Sequence, residues 1–171
     1  MAKIITAAEA ADLIRDGMTL GVSGFGAFAS PDCVMEAMSR KFKEQNTPRD
    51  LTIVSGVAPG DFVEDGCGLS KIRDEGIIKT LIASHLRMSP AISENKIAAF
   101  SVPLGVYGQL MNAIGGKRPG ILTHVGLNTY ADPRQDGCKM NELAKADGRE
   151  LVELIHVSGK DYLFYKAFHI D

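Results

Sequence analysis

The stretch DGMTLGVSGFGAFASP, Asp16 to Pro31, decides the fold. Thr19-Leu20-Gly21-Val22 is a short apolar run of the kind that forms a buried strand. It empties into a turn in which Gly24 and Gly26 flank Phe25. Ser30-Pro31 then opens a helix, with serine as N-cap and proline at the first helical position. Strand, glycine turn and helix together are how α/β proteins bring bare backbone N–H groups to an anionic or polarised ligand. With no Cβ at Gly24 and Gly26, a phosphate or a thioester can approach closely. The spacing of Gly21, Gly24 and Gly26 excludes the dinucleotide fingerprint G-x-G-x-x-G, and no G-x-x-x-x-G-K-[ST] occurs, so the turn is not a P-loop. A tight strand-to-helix turn that binds nothing fits the same residues, and the turn alone does not decide between the two.

Outward from this point, strands alternate with helices. Thr6 and Glu9 form a capping box that starts a helix running to about Arg15. Pro31 to about Gln45 reads as a second helix with Val34, Met35, Met38 and Phe42 on one face. Leu51–Val54, Thr80–Ala83, Ala98–Val102 and Ile121–His124 read as strands, with a Gly/Pro-rich loop over Ser55–Asp61. Short helices are expected around Leu69–Asp74, after Ser89-Pro90, and over Tyr107–Ile114 with Gly115-Gly116 as the stop. Asp132–Gly148 is polar and turn-rich and reads as a surface excursion. Val152–His156 and Tyr162–Phe168 flank Ser158-Gly159 as a hairpin. The pattern predicts an α/β fold with a mostly parallel open sheet flanked by helices and a hairpin near the C-terminal end.

At 171 residues the chain is long enough for one domain with its own core. Hydrophobic residues are 45%, charged residues 23% and the net charge is −2, which gives no nucleic-acid or membrane footprint. No apolar run reaches the length of a membrane span, and the N-terminus lacks the pattern of a secretory signal. Cys33, Cys67 and Cys138 are far apart and form no C-x-x-C, so neither a zinc cage nor a disulfide framework is expected. Buried or idle thiols in a reducing cytoplasm are the expectation. His85, His124, His156 and His169 have no metal-ligand spacing, and His124 reads as a hydrogen-bonded core residue.

Asp16-Gly17, an apolar stretch, Gly24-Phe25, and Pro31 resemble the signature of CoA-transferase family I: Asp/Asn-Gly, apolar residues, Gly-Gly-Phe, then Gly-x-Pro. Ser23 stands where the first glycine of that signature is usual, Ala29 where a glycine precedes x-Pro, and Gly21 interrupts the apolar triplet. These departures resemble the branch that includes propionate and acetate–3-oxoacid CoA-transferases, with both halves on one polypeptide. The segments SVPLGVYGQ (Ser101–Gln109), GILTHVGL (Gly120–Leu127) and DYLFYKAF (Asp161–Phe168) are similar to the same branch, so the likeness runs the length of the chain.

The resemblance implies a reaction that moves CoA from an acyl-CoA to a short-chain carboxylate through a glutamyl-CoA thioester. CoA would be a substrate, and no tightly bound cofactor is implied. Because Tyr162–Phe168 is strongly apolar and family members continue into a second, similar half, residues 1–171 are expected to be the N-terminal portion. The second half, on the same polypeptide or a second subunit, is the expected partner, within a homo-oligomer. Glu94, in Ser93-Glu94-Asn95, resembles part of the Ser-Glu-Asn-Gly motif around the family's catalytic glutamate. However, Lys96 replaces the glycine and that motif belongs to the second half. The end of a surface helix is the preferred reading of Glu94, and the nucleophile is expected outside these residues.

Three segments are candidates for binding CoA and substrate: the turn Ser23, Gly24, Phe25 and Gly26; the loop Leu104–Gln109 with Gly105, Tyr107, Gly108 and Gln109; and Gly126, Asn128 and Thr129. Plain turn or packing roles remain open for each. Lys71, Arg73 and nearby Lys79, together with Arg87, are candidate phosphate contacts against the default of a solvated face. Two alternatives keep the scaffold: an acyl-CoA hydrolase, in which water replaces the acceptor acid, and a non-catalytic interaction module with an exposed apolar edge at Tyr162–Phe168.

Overall fold

The computed structural model describes residues 3–26, 28–60, 66–86, 94 and 96–171. The central element is a four-stranded, all-parallel sheet in the order β1-β2-β3-β4, made of Thr19–Gly21, Leu51–Val57, Ile78–His85 and Ala98–Ser101. Its strands are apolar on both faces, as a parallel sheet covered on both sides requires. Val54, Ile82 and Phe100 lie side by side in register and point into one core. Ile53 and Leu81, one residue earlier, point into the other.

Helices α1 (Ala7–Leu13) and α2 (Asp32–Gln45), with a 3-10 helix at Leu69–Ile72, cover the second face. The capping box of α1 is present: Thr6 Oγ1 accepts from Glu9 N–H (3.2 Å) and the Glu9 carboxylate accepts from Thr6 N–H (2.8 Å). In α2 the expected apolar stripe is in place, with Met35 and Met38 buried and Val34 and Phe42 packed beside them. Its start differs by one residue: Pro31 holds the N-cap position, and the Ser30 hydroxyl donates to Asp32 Oδ1 instead of accepting from a helix N–H.

The first face is covered by α3 (Leu104–Gly115) and by a second, antiparallel sheet in the order β5-β7-β6, made of Gly120–Thr123, Lys160–Lys166 and Val152–Val157. Several expectations are corrected here. β5, expected as a strand, takes its place in this second sheet. β7 is its middle strand, with Leu163 and Tyr165 buried, so Tyr162–Phe168 is no exposed edge. His124 is exposed and stacks on Tyr162, ring centroids 4.1 Å apart. β2 runs through Val57, into what was expected to be loop.

The segment 132–148 is not a surface excursion either. Ser101 N–H donates to Cys138 O (2.8 Å) and Met140 N–H to Ala99 O (2.9 Å), so the segment pairs with the outer edge of β4. The short helix α4 (Glu142–Ala146) follows, and Ala144 and Cys138 enter the core. Burial pushes the Cys138 thiol up to about 12, so it stays protonated. The helix expected after Ser89-Pro90 lies outside the described residues.

Asp132 holds the bend that leads into this segment. It is fully buried, and its carboxylate accepts from Asn128 N–H (2.9 Å), Arg134 N–H (3.0 Å) and the Arg134 guanidinium at Nε (3.0 Å) and Nη2 (2.7 Å). The guanidinium first, and then the two backbone N–H groups, hold its carboxyl far below the usual carboxylate range. A depressed native value adds stability that is present above the unfolded value near 4 and is lost as pH falls below it. Asp132→Asn is expected to cost about 1–3 kcal/mol at neutral pH, the penalty for leaving buried donors unmatched. Urea denaturation of both proteins from pH 7 downward should show the wild-type advantage shrinking below about pH 4. A gap that does not change with pH contradicts this account of the bend.

Candidate active site at the carboxyl edge of the parallel sheet

All four parallel strands discharge at one edge, where open α/β sheets bind ligands. β1 leaves the sheet after Val22, whose N–H donates to Val54 O (2.8 Å). The next residues fold into a tight hairpin in which Phe25 and Phe28 exchange both backbone bonds (2.9 and 3.1 Å), and Ser23 Oγ donates to Ala29 O (3.3 Å). A loop after β2 supports the hairpin, Gly60 N–H donating to Gly26 O (2.8 Å). Gly24 lies so close to this loop that a Cβ would come within 2.7 Å of Pro59 Cβ, and its φ of +130° also disfavours any side chain. The bend is open to solvent: Ser23 is exposed, Gly24 and Gly26 are half-buried, and Phe25 and Phe28 are 67% and 76% exposed. Among the described residues, the Gly24 and Gly26 N–H groups have no acceptor.

Asp32, at the start of α2, accepts from Gly68 N–H (2.8 Å) through Oδ1. This bond fastens the segment before the 3-10 helix to the helix that the glycine turn feeds.

The second candidate segment is not a loop. Leu104–Gln109 form the first turns of α3, with Pro103 at the N-cap position and Tyr107 N–H donating to Pro103 O (2.9 Å). Gly105, Gly108 and Gln109 are exposed on this helix, and a Cβ at either glycine would meet nothing within 4 Å. Tyr107 lies over Gly56 near the end of β2, its Cε1 3.2 Å from where a Cβ would sit, and burial raises its phenol above the usual value.

Gly126, Asn128 and Thr129 form the turn after β5. Gly126 has φ +100°, and a Cβ there would collide with the Tyr165 hydroxyl, which donates to Val125 O (2.9 Å). Thr129 Oγ1 donates to Gly126 O (2.7 Å), and Asn128 N–H is bound by Asp132. Each has a bonding or packing role within the turn, and the side chains of Asn128 and Thr129 are exposed.

Glu94 is exposed and pairs with Lys96 (2.9 Å) just ahead of β4, at the amino-terminal edge of the sheet and so opposite the glycine turn. Ser93 and Asn95, its neighbours in the motif, and Arg87 lie outside the described residues. The expected basic cluster divides. Lys71 pairs with Glu36 (2.7 Å) and lines a cleft with Arg73, Arg40 and Lys43, whereas Lys79 lines a separate hollow with Lys96. Among the described residues no group of His, Cys, Asp and Glu is placed to hold a metal ion.

Sequence reasoning passed over a row of hydroxyls at the carboxyl edge. Four apolar runs each end on serine: Ser23, Ser55, Ser84 and Ser101. Ser55 Oγ donates to Val57 O (3.1 Å) and Ser101 Oγ to Ser84 O (3.3 Å), with Tyr130 Oη 3.4 Å away. The Ser84 hydroxyl is buried and has no partner among the described residues. The signal was the repeat itself, a short apolar run closed by one polar residue at the same relative position.

A family model described as Coenzyme A transferase matches residues 4–171. The chain is 42% identical to the caffeate CoA-transferase of Acetobacterium woodii, over 100% of this chain and 32% of that protein. It is 38% identical to the acetate CoA-transferase YdiF of Escherichia coli, over 98% of this chain and 32% of that protein. Crystal structures of the Escherichia coli acyl-CoA transferase YdiF, as apoenzyme and as a thioester complex with CoA, superpose with a TM-score of 0.87. They are 36% identical and cover 98% of this chain and 33% of theirs. The chain thus spans about a third of the length of these relatives. With a parallel sheet opening onto an unblocked glycine turn, and with sequence likeness from end to end, this chain belongs to the coenzyme A transferase family.

Proposed function

We propose that this chain forms the N-terminal part of an acyl-CoA transferase that moves CoA between an acyl-CoA and a short-chain carboxylate. The observation that carries the reading is the exposed hairpin with two unclaimed amides at the carboxyl edge of the sheet, in a chain of this family. In the reaction, a glutamate carboxylate attacks the thioester carbonyl carbon, and CoA leaves as thiolate to give an acyl-glutamyl anhydride. The thiolate then attacks the glutamyl carbonyl, releasing the acyl group as a carboxylate and leaving a glutamyl-CoA thioester. The acceptor acid takes CoA by the same two steps reversed. Splitting the transfer in this way lowers each barrier.

Every tetrahedral stage carries an oxyanion, and the Gly24 and Gly26 N–H groups are suited to receive it because the Pro59–Gly60 loop holds them fixed. Glu94 is not the nucleophile in this reading: it pairs with Lys96 at the opposite edge of the sheet. The attacking glutamate comes from the part of the relatives that this chain does not span, on the same polypeptide or a second subunit. Gly105, Tyr107 and Gln109 on α3, and Asn128 and Thr129 beyond β5, are assigned to the walls that hold substrate. The reading places the protein in the cytoplasm, consistent with Cys33, Cys67 and Cys138 all being free. No helix among the described residues is long and apolar enough to cross a membrane. The two relatives are named for different acids, caffeate and acetate, so membership alone leaves the acyl group open.

The 171-residue chain alone is expected to show no CoA transfer, and adding the polypeptide encoded after Asp171 should establish it. A CoA-exchange assay with labelled acetate checks this, and transfer by the isolated chain refutes the division of labour. Running the assay without acceptor acid separates transfer from hydrolysis, because a hydrolase releases free CoA regardless. In the active form, Gly24→Ala keeps the N–H but its Cβ would collide with Pro59 and swing the amide out of place, so kcat is expected to fall by about 100-fold, as when an oxyanion donor no longer reaches its target. A variant with native circular dichroism and undiminished kcat refutes the role given to these amides.

A further inference from the structure

Two aromatic rings stand in water at the mouth of the site. Phe25 and Phe28 are 67% and 76% exposed, whereas Phe100 is fully buried. Leaving a phenylalanine exposed forgoes most of the stabilisation that burial brings. The backbone fixes where these two rings sit. Their reciprocal bonds make them a directly opposed antiparallel pair, and such residues project their side chains to one face with Cβ atoms about 5 Å apart. The rings therefore form one apolar face on the hairpin that also carries the free Gly24 and Gly26 amides.

A carbonyl group bound at those amides would carry its acyl tail beside the rings. Phe25 belongs to the family signature quoted above. Phe28 falls in the part of the signature between Gly-Gly-Phe and Gly-x-Pro, which fixes no residue. Ser23 Oγ, donating to Ala29 O, closes the base of the hairpin, and Gly60 N–H, donating to Gly26 O, holds it from the loop after β2. Phe28 is thus presented on a segment whose backbone is tied to the rest of the fold.

We propose that Phe28, backed by Phe25, is a specificity-determining residue that receives the acyl tail, so that the enzyme favours acyl groups with several apolar carbons or an aryl ring over acetyl. The inference rests on the CoA-transfer reading and adds to it the class of acyl group. Contact between several methylenes and an aromatic wall is worth a tenfold or greater preference, since one methylene in an apolar pocket accounts for about tenfold by itself.

The test measures kcat/KM for hexanoyl-CoA and acetyl-CoA in whichever form is active, the chain alone or with its downstream polypeptide. Wild type is compared with Phe28→Ser and the conservative Phe28→Leu. The expected result is a fall of about tenfold or more for hexanoyl-CoA in Phe28→Ser, little change for acetyl-CoA, and near-complete recovery in Phe28→Leu. Because the ring touches so little, the thermal midpoint should stay where it is; it is measured for each variant. Equal loss with both thioesters assigns Phe28 to holding another polypeptide segment and overturns the proposal, and so does no loss with either. A wild-type protein inert toward every acyl-CoA in both forms defeats the transfer reading itself, which distinguishes that failure from a failure of Phe28 alone.

Discussion

A parallel sheet buried on both faces must send every chain exit to the same edge, and that constraint organises this molecule. Because Ile53 and Leu81 face one core while Val54, Ile82 and Phe100 face the other, neither side of the sheet is left for a ligand. The polar groups that do not fit either core collect where the strands stop. Ser23, Ser55, Ser84 and Ser101 mark that line, and the glycine hairpin lies at its β1 end. With strands about 4.8 Å apart, the row from β1 to β4 extends about 14 Å, enough to lie along an extended ligand.

Local signals were legible, and distant pairings were not. Thr6 with Glu9, the stripe of α2 and the apolar run before Ser23 all depend on neighbours within a few residues, and all are where the pattern put them. α3 was read as starting late because Pro103, Gly105 and Gly108 look like loop punctuation. Each glycine does cost a helix about 1 kcal/mol, but burial of Val106, Leu110 and Ala113 offsets it. β5 is legible as a strand because Ile121 and Leu122 are apolar, yet the sheet it joins depends on Phe164 and Tyr165 far along the chain. The segment 132–148 is polar in composition, but its most buried acid is satisfied by four donors, and composition does not record that.

The same division applies to the site. Gly24 and Gly26 are conspicuous as a pair of glycines at a strand end. The Pro59–Gly60 loop that fixes them lies 35 residues later; its Gly/Pro content marks it as a loop, but nothing local marks it as the support of the turn. The chemistry is divided as well. These residues offer donors and apolar surface to an electrophile, and the one carboxylate in a suggestive motif lies at the wrong edge, neutralised by Lys96. Such a surface prepares a carbonyl for attack without supplying the attacker.

The order of the second sheet also bears on synthesis. β2, β3 and β4 each pair with the strand that precedes them in the chain, so each can join an existing edge as it emerges. β5 has no such neighbour: Gly120 pairs with Lys166, and its partner β7 follows it in the chain by about 40 residues. Until β7 arrives, Ile121 and the rest of β5 have no strand to pair with. The parallel layer thus needs only pairings between strands consecutive in the chain, whereas the antiparallel layer is complete only once β7 lies between β5 and β6.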